Sequence, residues 1–300
     1  MFNKLGVIAA IIVTVLFVSP ADAAEKPHVV IVVGTLHYSP QKSMPLLAKE
    51  LDRHGFRTTV LLPEGDPERS KNGKDLPGLE ILKDADLVIF FVRFLTLPDD
   101  QFTHVMDYIK SGKPVVAFRT STHAFIYPKD HPRFKWNNDF GRYVLGTRYL
   151  VHQSGPTQIK PVPNAAKGPI FTGVTETEWT SPGTLYLTSL QPGCVPLVLG
   201  TGSRKGDRLS VNQFGTFYFK EQETDIVAWT WQNQWGAKVF STSFGHVGDF
   251  AVEPTMRLIV NGICWAAGHP IPGADAKINT FKIEAAPKKP RKKKKKPADK

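Results

Sequence analysis

Three apolar runs, His28–Gly34 (HVVIVVG), Asp86–Val92 (DLVIFFV) and Pro114–Phe118 (PVVAF), constrain this chain more than any other feature. Each is too short for a helix and does not alternate with polar residues, the pattern of a strand covered on both faces. Phe56–Leu62 supplies a fourth strand. Helical signals separate these runs. Ser43 reads as an N-cap with Pro45 in the first turn, Leu46, Leu47 and Leu51 on one face, and Gly55 as the stop. Pro98 opens a second helix over Asp99–Lys110, with Phe102, Val105, Met106 and Ile109 on one side and Ser111-Gly112 ending it. Alternation of this kind predicts βαβ units, a parallel sheet and right-handed crossovers that gather the strands' carboxyl ends along one edge. Ligands bind beyond that edge in open α/β sheets.

At the carboxyl end of Pro114–Phe118 the sequence turns polar: Arg119, Thr120, Ser121, Thr122, His123. A cation, three hydroxyls and an imidazole at a strand end are a candidate site, and equally a set of residues that cap a turn and satisfy loop backbone. Past Tyr127 the pattern changes. Trp136–Tyr143 reads as helical, Arg148–His152 and Thr157–Val162 as strands, and Phe171–Leu199 as β-rich with turns at Ser181-Pro182-Gly183 and Gln191-Pro192-Gly193. Gly202–Asn212 reads as an exposed loop, Asp225–Thr230 and Ala237–Ser241 as a hairpin, and Glu253–Ala267 as a closing amphipathic helix. The second half is thus a β-rich elaboration on the sheet, without a domain boundary of its own.

Both ends stand apart from this body. Met1–Ala23 has Lys4, an apolar run from Leu5 to Val18 and an Ala21-Asp22-Ala23 site, the pattern of a secretory signal peptide. Its apolar run is short against the ~20 residues of a membrane-spanning helix, so export to the periplasm or beyond is the expectation. Ala285–Lys300 has no apolar pattern and reads as a disordered tail. It holds nine Lys or Arg and one Asp, so +8 of the chain's net +11 lies there and the domain between, residues 24–284, is only about +3. The tail suits contact with anionic surfaces, and the domain shows no footprint for specific nucleic-acid binding. Export permits a disulfide between Cys194 and Cys264, although the apolar setting of Cys264 reads more simply as a buried thiol.

No GxSxG elbow, HExxH pair, Walker loop or GxGxxG fingerprint is present. Ser121 backed by His246 is the weaker, nucleophilic option. Of nine histidines, His37, His123, His152 and His246 directly follow apolar runs, which points to a shared cleft. There a neutral His acts as general base, Arg119 or Arg148 stabilises an oxyanion, and Asp249 orients an imidazole or serves as acid. No cofactor is implied with certainty: two or three of the histidines could instead ligate Zn²⁺ or another divalent ion, although their separations have no metal-specific spacing. Tyr38, beside His37, and Trp136 and Trp235, in polar surroundings, are candidates for contact with a sugar ring.

The segments DADLVIFFVRFLTLPDDQ, IKSGKPVVAFRTSTHAF and LGTRYLVHQ, and later AWTWQNQWGAKVFSTSFGHVGDF and RLIVNGICWAAG, resemble the ThuA-like (trehalose-utilisation) family. The resemblance covers nearly all of residues 27–268. It implies an α/β fold of flavodoxin-like, class I glutamine amidotransferase-like type: a parallel sheet with helices on both faces. The family lacks the amidotransferase Cys, as this chain does at Arg119–Thr122, so glutamine amidotransferase activity is not expected. The resemblance further implies carbohydrate utilisation, including breakdown of oxidised (3-keto) disaccharides, and a site at the motif positions His123, His152 and His246. The resulting expectation is an exported protein acting on a sugar or keto-sugar by His-mediated acid/base chemistry, as a hydrolase or lyase. The alternative is a non-catalytic sugar- or metal-binding module of the cell envelope.

Overall fold

A computed structural model describes residues 25–64, 76–204, 208–219 and 221–284; the expected signal peptide and Lys-rich tail lie outside the described residues. The first half runs β1 (His28–Gly34), α1 (Pro40–Arg53), β2 (Arg57–Leu61), β3 (Leu87–Val92), α2 (Asp99–Lys110) and β4 (Val115–Phe118). Every residue of β1, β3 and β4 is buried, as continuous apolar runs require. Their side chains divide between two layers. Val29, Ile31 and Val33 pack with Leu47 and Leu51 of α1, while Val30 and Val32 pack with Phe102 and Ile109 of α2. Helices on both faces follow directly from that alternation.

The second half continues with α3 (Trp136–Asp139), β5 (Val151–Gln153), β6 (Thr157–Pro161), β7 (Trp179–Ser181), β8 (Leu185–Leu187) and β9 (Val195–Gly202). Then come β10 (Arg208–Asn212), β11 (Gly215–Phe219), β12 (Thr224–Gln232), β13 (Lys238–Thr242) and α4 (Glu253–Ala267). Nine strands form one sheet in the order β2-β1-β3-β4-β13-β12-β9-β6-β7. The first five are parallel, so the order is the flavodoxin-like 2-1-3-4-5 with β13 as fifth strand. Everything between β4 and β13 is therefore an insertion, and part of it extends the same sheet by four antiparallel strands.

Five local expectations need correction. Helix α1 starts after Ser39, not Ser43, and carries Pro45 inside it; Ser43 is buried on its inner face. The Arg148–His152 strand shrinks to β5, which begins at Val151. The helix from Trp136 runs one residue beyond Tyr143, its last turn π-helical over Phe140–Val144. The expected exposed loop over Gly202–Asn212 contains β10, which pairs with β11 in a separate hairpin. Asn212 Oδ1 accepts the Phe214 N–H at 2.7 Å, an Asx turn that closes this hairpin. Helix α4 matches its predicted bounds but is buried on nearly all sides, not on one face as an amphipathic helix is, and Gly262 lets it lie on Phe240: a Cβ there would come within 2.5 Å of that ring.

Candidate active site

The strand order reverses between β1 and β3, which is where doubly wound sheets bind their ligands. A cleft of about 250 Å³ opens there. His37 and Tyr38 enter it from the end of β1, Arg93 and Phe94 from the end of β3, and His123 from the turn after β4. The insertion supplies Tyr149, His152 on β5 and Tyr186 on β8. The β10–β11 hairpin brings Asn212, Gln213 and Phe214 over the opening.

Backbone strain concentrates at the same edge. Among the described residues, the non-glycine positions with positive φ are Tyr38 (70°), Ser39 (58°), Phe94 (49°) and Arg119 (44°), all just beyond β1, β3 or β4. Such conformations cost of order 1–3 kcal/mol each and persist where the surroundings enforce them. Arg119 occupies the sharp corner between β4 and a short 3₁₀ turn, Arg119–His123. A nucleophile elbow has comparable strand–turn–helix geometry, but here the corner residue is a guanidinium. The other elbow candidate, Ser121, is buried; its hydroxyl donates to the Phe90 carbonyl and accepts the Val92 N–H, so it holds β3 to the turn.

His123 is 3% exposed at the cleft floor, ringed by Tyr149 and Phe94 with centroids 4.4 and 5.0 Å away. Burial, reinforced by Arg93, His37, Arg119 and His152, holds its pKa well below 6.5, so the imidazole is neutral. Gly141 secures this corner: a Cβ on it would lie 2.4 Å from the Thr122 carbonyl, so no other residue allows the π-helical turn to close on it. His152 is half-buried with Nδ1 2.6 Å from the Tyr149 hydroxyl, and burial followed by Arg119, Arg208 and Arg93 lowers its pKa as well. Burial pushes the Tyr149 phenol up to about 12, so it keeps its proton and fixes the ring of His152.

Arg119, expected to face a ligand, lies behind the cleft instead. Its guanidinium is sandwiched between the rings of Tyr38 (4.3 Å) and Tyr186 (4.5 Å) and is 1% exposed. It donates to the Ser243 carbonyl, to the Thr184 carbonyl and hydroxyl, and to the Tyr38 hydroxyl. His246 sits on the far side of Tyr38, ring centroids 5.7 Å apart, and does not line the cleft. Asp249 is fully buried beneath it. One carboxylate oxygen accepts the Ser181 hydroxyl and the other the Gly245 and His246 N–H groups, so the side chain fixes the loop and faces no ligand. Trp136 is partly buried and packs edge-on against Phe102 at the margin of the core beside α2, away from the cleft. Arg148 borders a water-sized void behind Tyr149, outside the cleft.

The fold thus brings together His37, Tyr38, His123 and His152 of the expected residues and leaves out Arg119, Arg148, His246, Asp249 and Trp136. Arg93, Tyr149, Tyr186 and Phe214 are not among the residues expected at the site, although Arg93 stands at a strand end predicted to lie near His37 and His123. Arg93 had a signal, since it directly follows the β3 run as His37 and Arg119 follow theirs. Among the described residues no three His, Cys, Asp or Glu side chains gather as metal ligands would, so the three-histidine metal arrangement is not formed. Cys194 and Cys264 are both free thiols.

A family model described as ThuA, trehalose utilisation, matches residues 28–266. No curated protein sequence matches. Among solved structures, the fold is similar to a ThuA-like protein from Parabacteroides merdae, at 15% identity and a TM-score of 0.54, over 81% of this chain and 91% of that one. A ThuA-like protein from Bacteroides uniformis is similar at 15% identity and a TM-score of 0.53, over 83% and 95% of the two chains. At such identity the likeness concerns the fold.

Proposed function

This chain belongs to the ThuA family, whose model is described by trehalose utilisation, and from that premise we propose that its cleft acts on a sugar oxidised to a 3-ketone. The observation that carries this reading is the pair of neutral imidazoles, His123 and His152, in one cleft with the Arg93 guanidinium. Neutral bases beside a cation suit proton abstraction next to a carbonyl, where negative charge develops on oxygen. In a 3-keto glycoside the C2 hydrogen lies between the ketone and the glycosidic carbon. His152, in the tautomer whose Nδ1–H donates to the Tyr149 oxygen, takes that proton on Nε2. His123 donates to the carbonyl oxygen as a neutral imidazole can, with Arg93 stabilising the enolate. The enolate electrons expel the glycosidic oxygen from C1, and water adds across the resulting double bond to complete a hydrolysis.

Purified protein incubated with a 3-keto-disaccharide is expected to release the free leaving sugar. His152→Ala and His123→Ala should each slow this by roughly 10²–10⁴-fold. Variants as fast as wild type would remove both residues from the chemistry. Calorimetric binding of sugars without turnover of any would favour a non-catalytic module.

Export belongs to the same proposal, on the strength of Lys4, the apolar run Leu5–Val18 and Ala21-Asp22-Ala23. Protein recovered from the producing cells should then begin at Ala24 by N-terminal sequencing and lie outside the cytoplasmic fraction, and a full-length chain found in the cytoplasm contradicts export.

A further inference from the structure

The buried guanidinium behind the cleft has an electrostatic consequence. Arg119 is 1% exposed, and none of the ion pairs among the described residues includes it. Its Nε has no hydrogen-bond partner, and its other donors meet carbonyls and hydroxyls only. A buried cation without a touching carboxylate favours negative charge on whatever acidic group it does touch. Two phenols lie against it, Tyr38 and Tyr186, and of these it donates a hydrogen bond to Tyr38. The Tyr38 hydroxyl lies 3.3 Å from Arg119 Nη2, its ring stacks on the guanidinium, and the residue lines the cleft from a left-handed backbone.

Resting on the keto-sugar reading above, we propose that Tyr38 is the proton donor to the departing glycosidic oxygen and that Arg119 is its positioning residue. The step balances. As the C1–O bond breaks, the Tyr38 O–H proton passes to the leaving oxygen and the phenolate remains against Arg119. Water then adds to C1, gives one proton back to the phenolate, and C2 regains its proton from the His152 imidazolium. Both groups end as they began.

The groups facing Tyr38 agree with this role. Arg119 and Tyr186 flank it, His37 lies on one side and His246 on the other, and Tyr149 is nearby. Burial works against ionisation of Tyr38, but the Arg119 charge and the hydrogen bonds of Arg119, Tyr186 and Thr184 bring the phenol below its usual value of 10. Tyr186, buried on the other face of the same guanidinium, is pushed up instead.

Tyr38→Phe keeps the ring over Arg119 and removes only the hydroxyl. It should be assayed on a 3-keto-disaccharide and on the 3-keto glucoside of p-nitrophenol, whose leaving oxygen departs without a proton. The expected result is a loss of about 10²-fold or more on the disaccharide and only a few-fold on the nitrophenyl substrate. An equal loss on both overturns the proposal, and so does no loss on either. A wild type that cleaves neither substrate overturns the keto-sugar reading itself, which separates the two failures. For Arg119, the absorbance titration of wild type minus Tyr38→Phe isolates the Tyr38 phenolate. Titration below pH 10 is expected, and a midpoint at or above the ordinary value of 10 removes Arg119 as its partner.

Discussion

The imidazole of His123 ties the site to the stability of the chain. In the unfolded chain a His takes up a proton near pH 6.5, whereas in the fold burial and the neighbouring Arg93 depress that affinity strongly. Below about pH 6.5 the unfolded state therefore binds a proton that the folded state refuses, and stability falls as pH drops from there toward the folded pKa. His152 and His246 are lowered too and act in the same direction. Urea unfolding midpoints should decrease from pH 7.5 to pH 5.5, and His123→Gln should flatten that slope. An unchanged slope in the variant would place the pH sensitivity elsewhere. At this scale the sequence was only partly legible. It showed which polar residues follow buried strands, but not where they point: the corner after β4 turns the Arg119 side chain back under Tyr38, and positive φ at a non-glycine residue leaves no compositional mark.

Among the elements, the strands and helices with strong signals were legible, because a doubly buried strand and a helix with a start residue such as Pro98 or Pro254 and a glycine stop leave clear patterns. Helices α2 and α4 have their predicted bounds. The β10–β11 hairpin was not legible. Its Leu209, Val211 and Tyr218 face solvent, so it lacks the buried apolar run that betrays β1, β3 and β4. A two-stranded hairpin is marginal by itself. This one is held to the body by Asn212 to the Leu150 carbonyl, by Arg208 to the His152 carbonyl, and by Phe214 against Tyr149. An element held by so few contacts lies at the low end of local stability. Phe214→Ala uncovers His123 without touching the main cores, so its expected effect is a rise in KM of about tenfold, roughly 1.4 kcal/mol, with kcat and Tm nearly unchanged. A drop in Tm comparable to that of a core truncation would show that the hairpin is part of the folding core and not a cover.

For the whole molecule, one topological fact organises the rest. A five-stranded flavodoxin-like sheet places His37, Tyr38, Arg93 and His123 at its switch point, and an insertion between its fourth and fifth strands returns with Tyr149, His152 and Tyr186 to close the cleft. The sequence showed the insertion as a β-rich change of pattern. It could not show that β13 rejoins the parallel sheet beside β4, since β13 pairs antiparallel with β12 on one side and parallel with β4 on the other, and its residues mark only a buried strand. The central claim about this assembly is that an imidazole in the cleft removes the proton beside a sugar ketone. The direct measurement is deuterium incorporation at C2 of a 3-keto sugar in D₂O, followed by NMR, for wild type and His152→Ala. Wild type should exchange C2 with solvent and His152→Ala should lose that exchange by two orders of magnitude or more. Exchange at C2 undiminished in the variant would contradict the account.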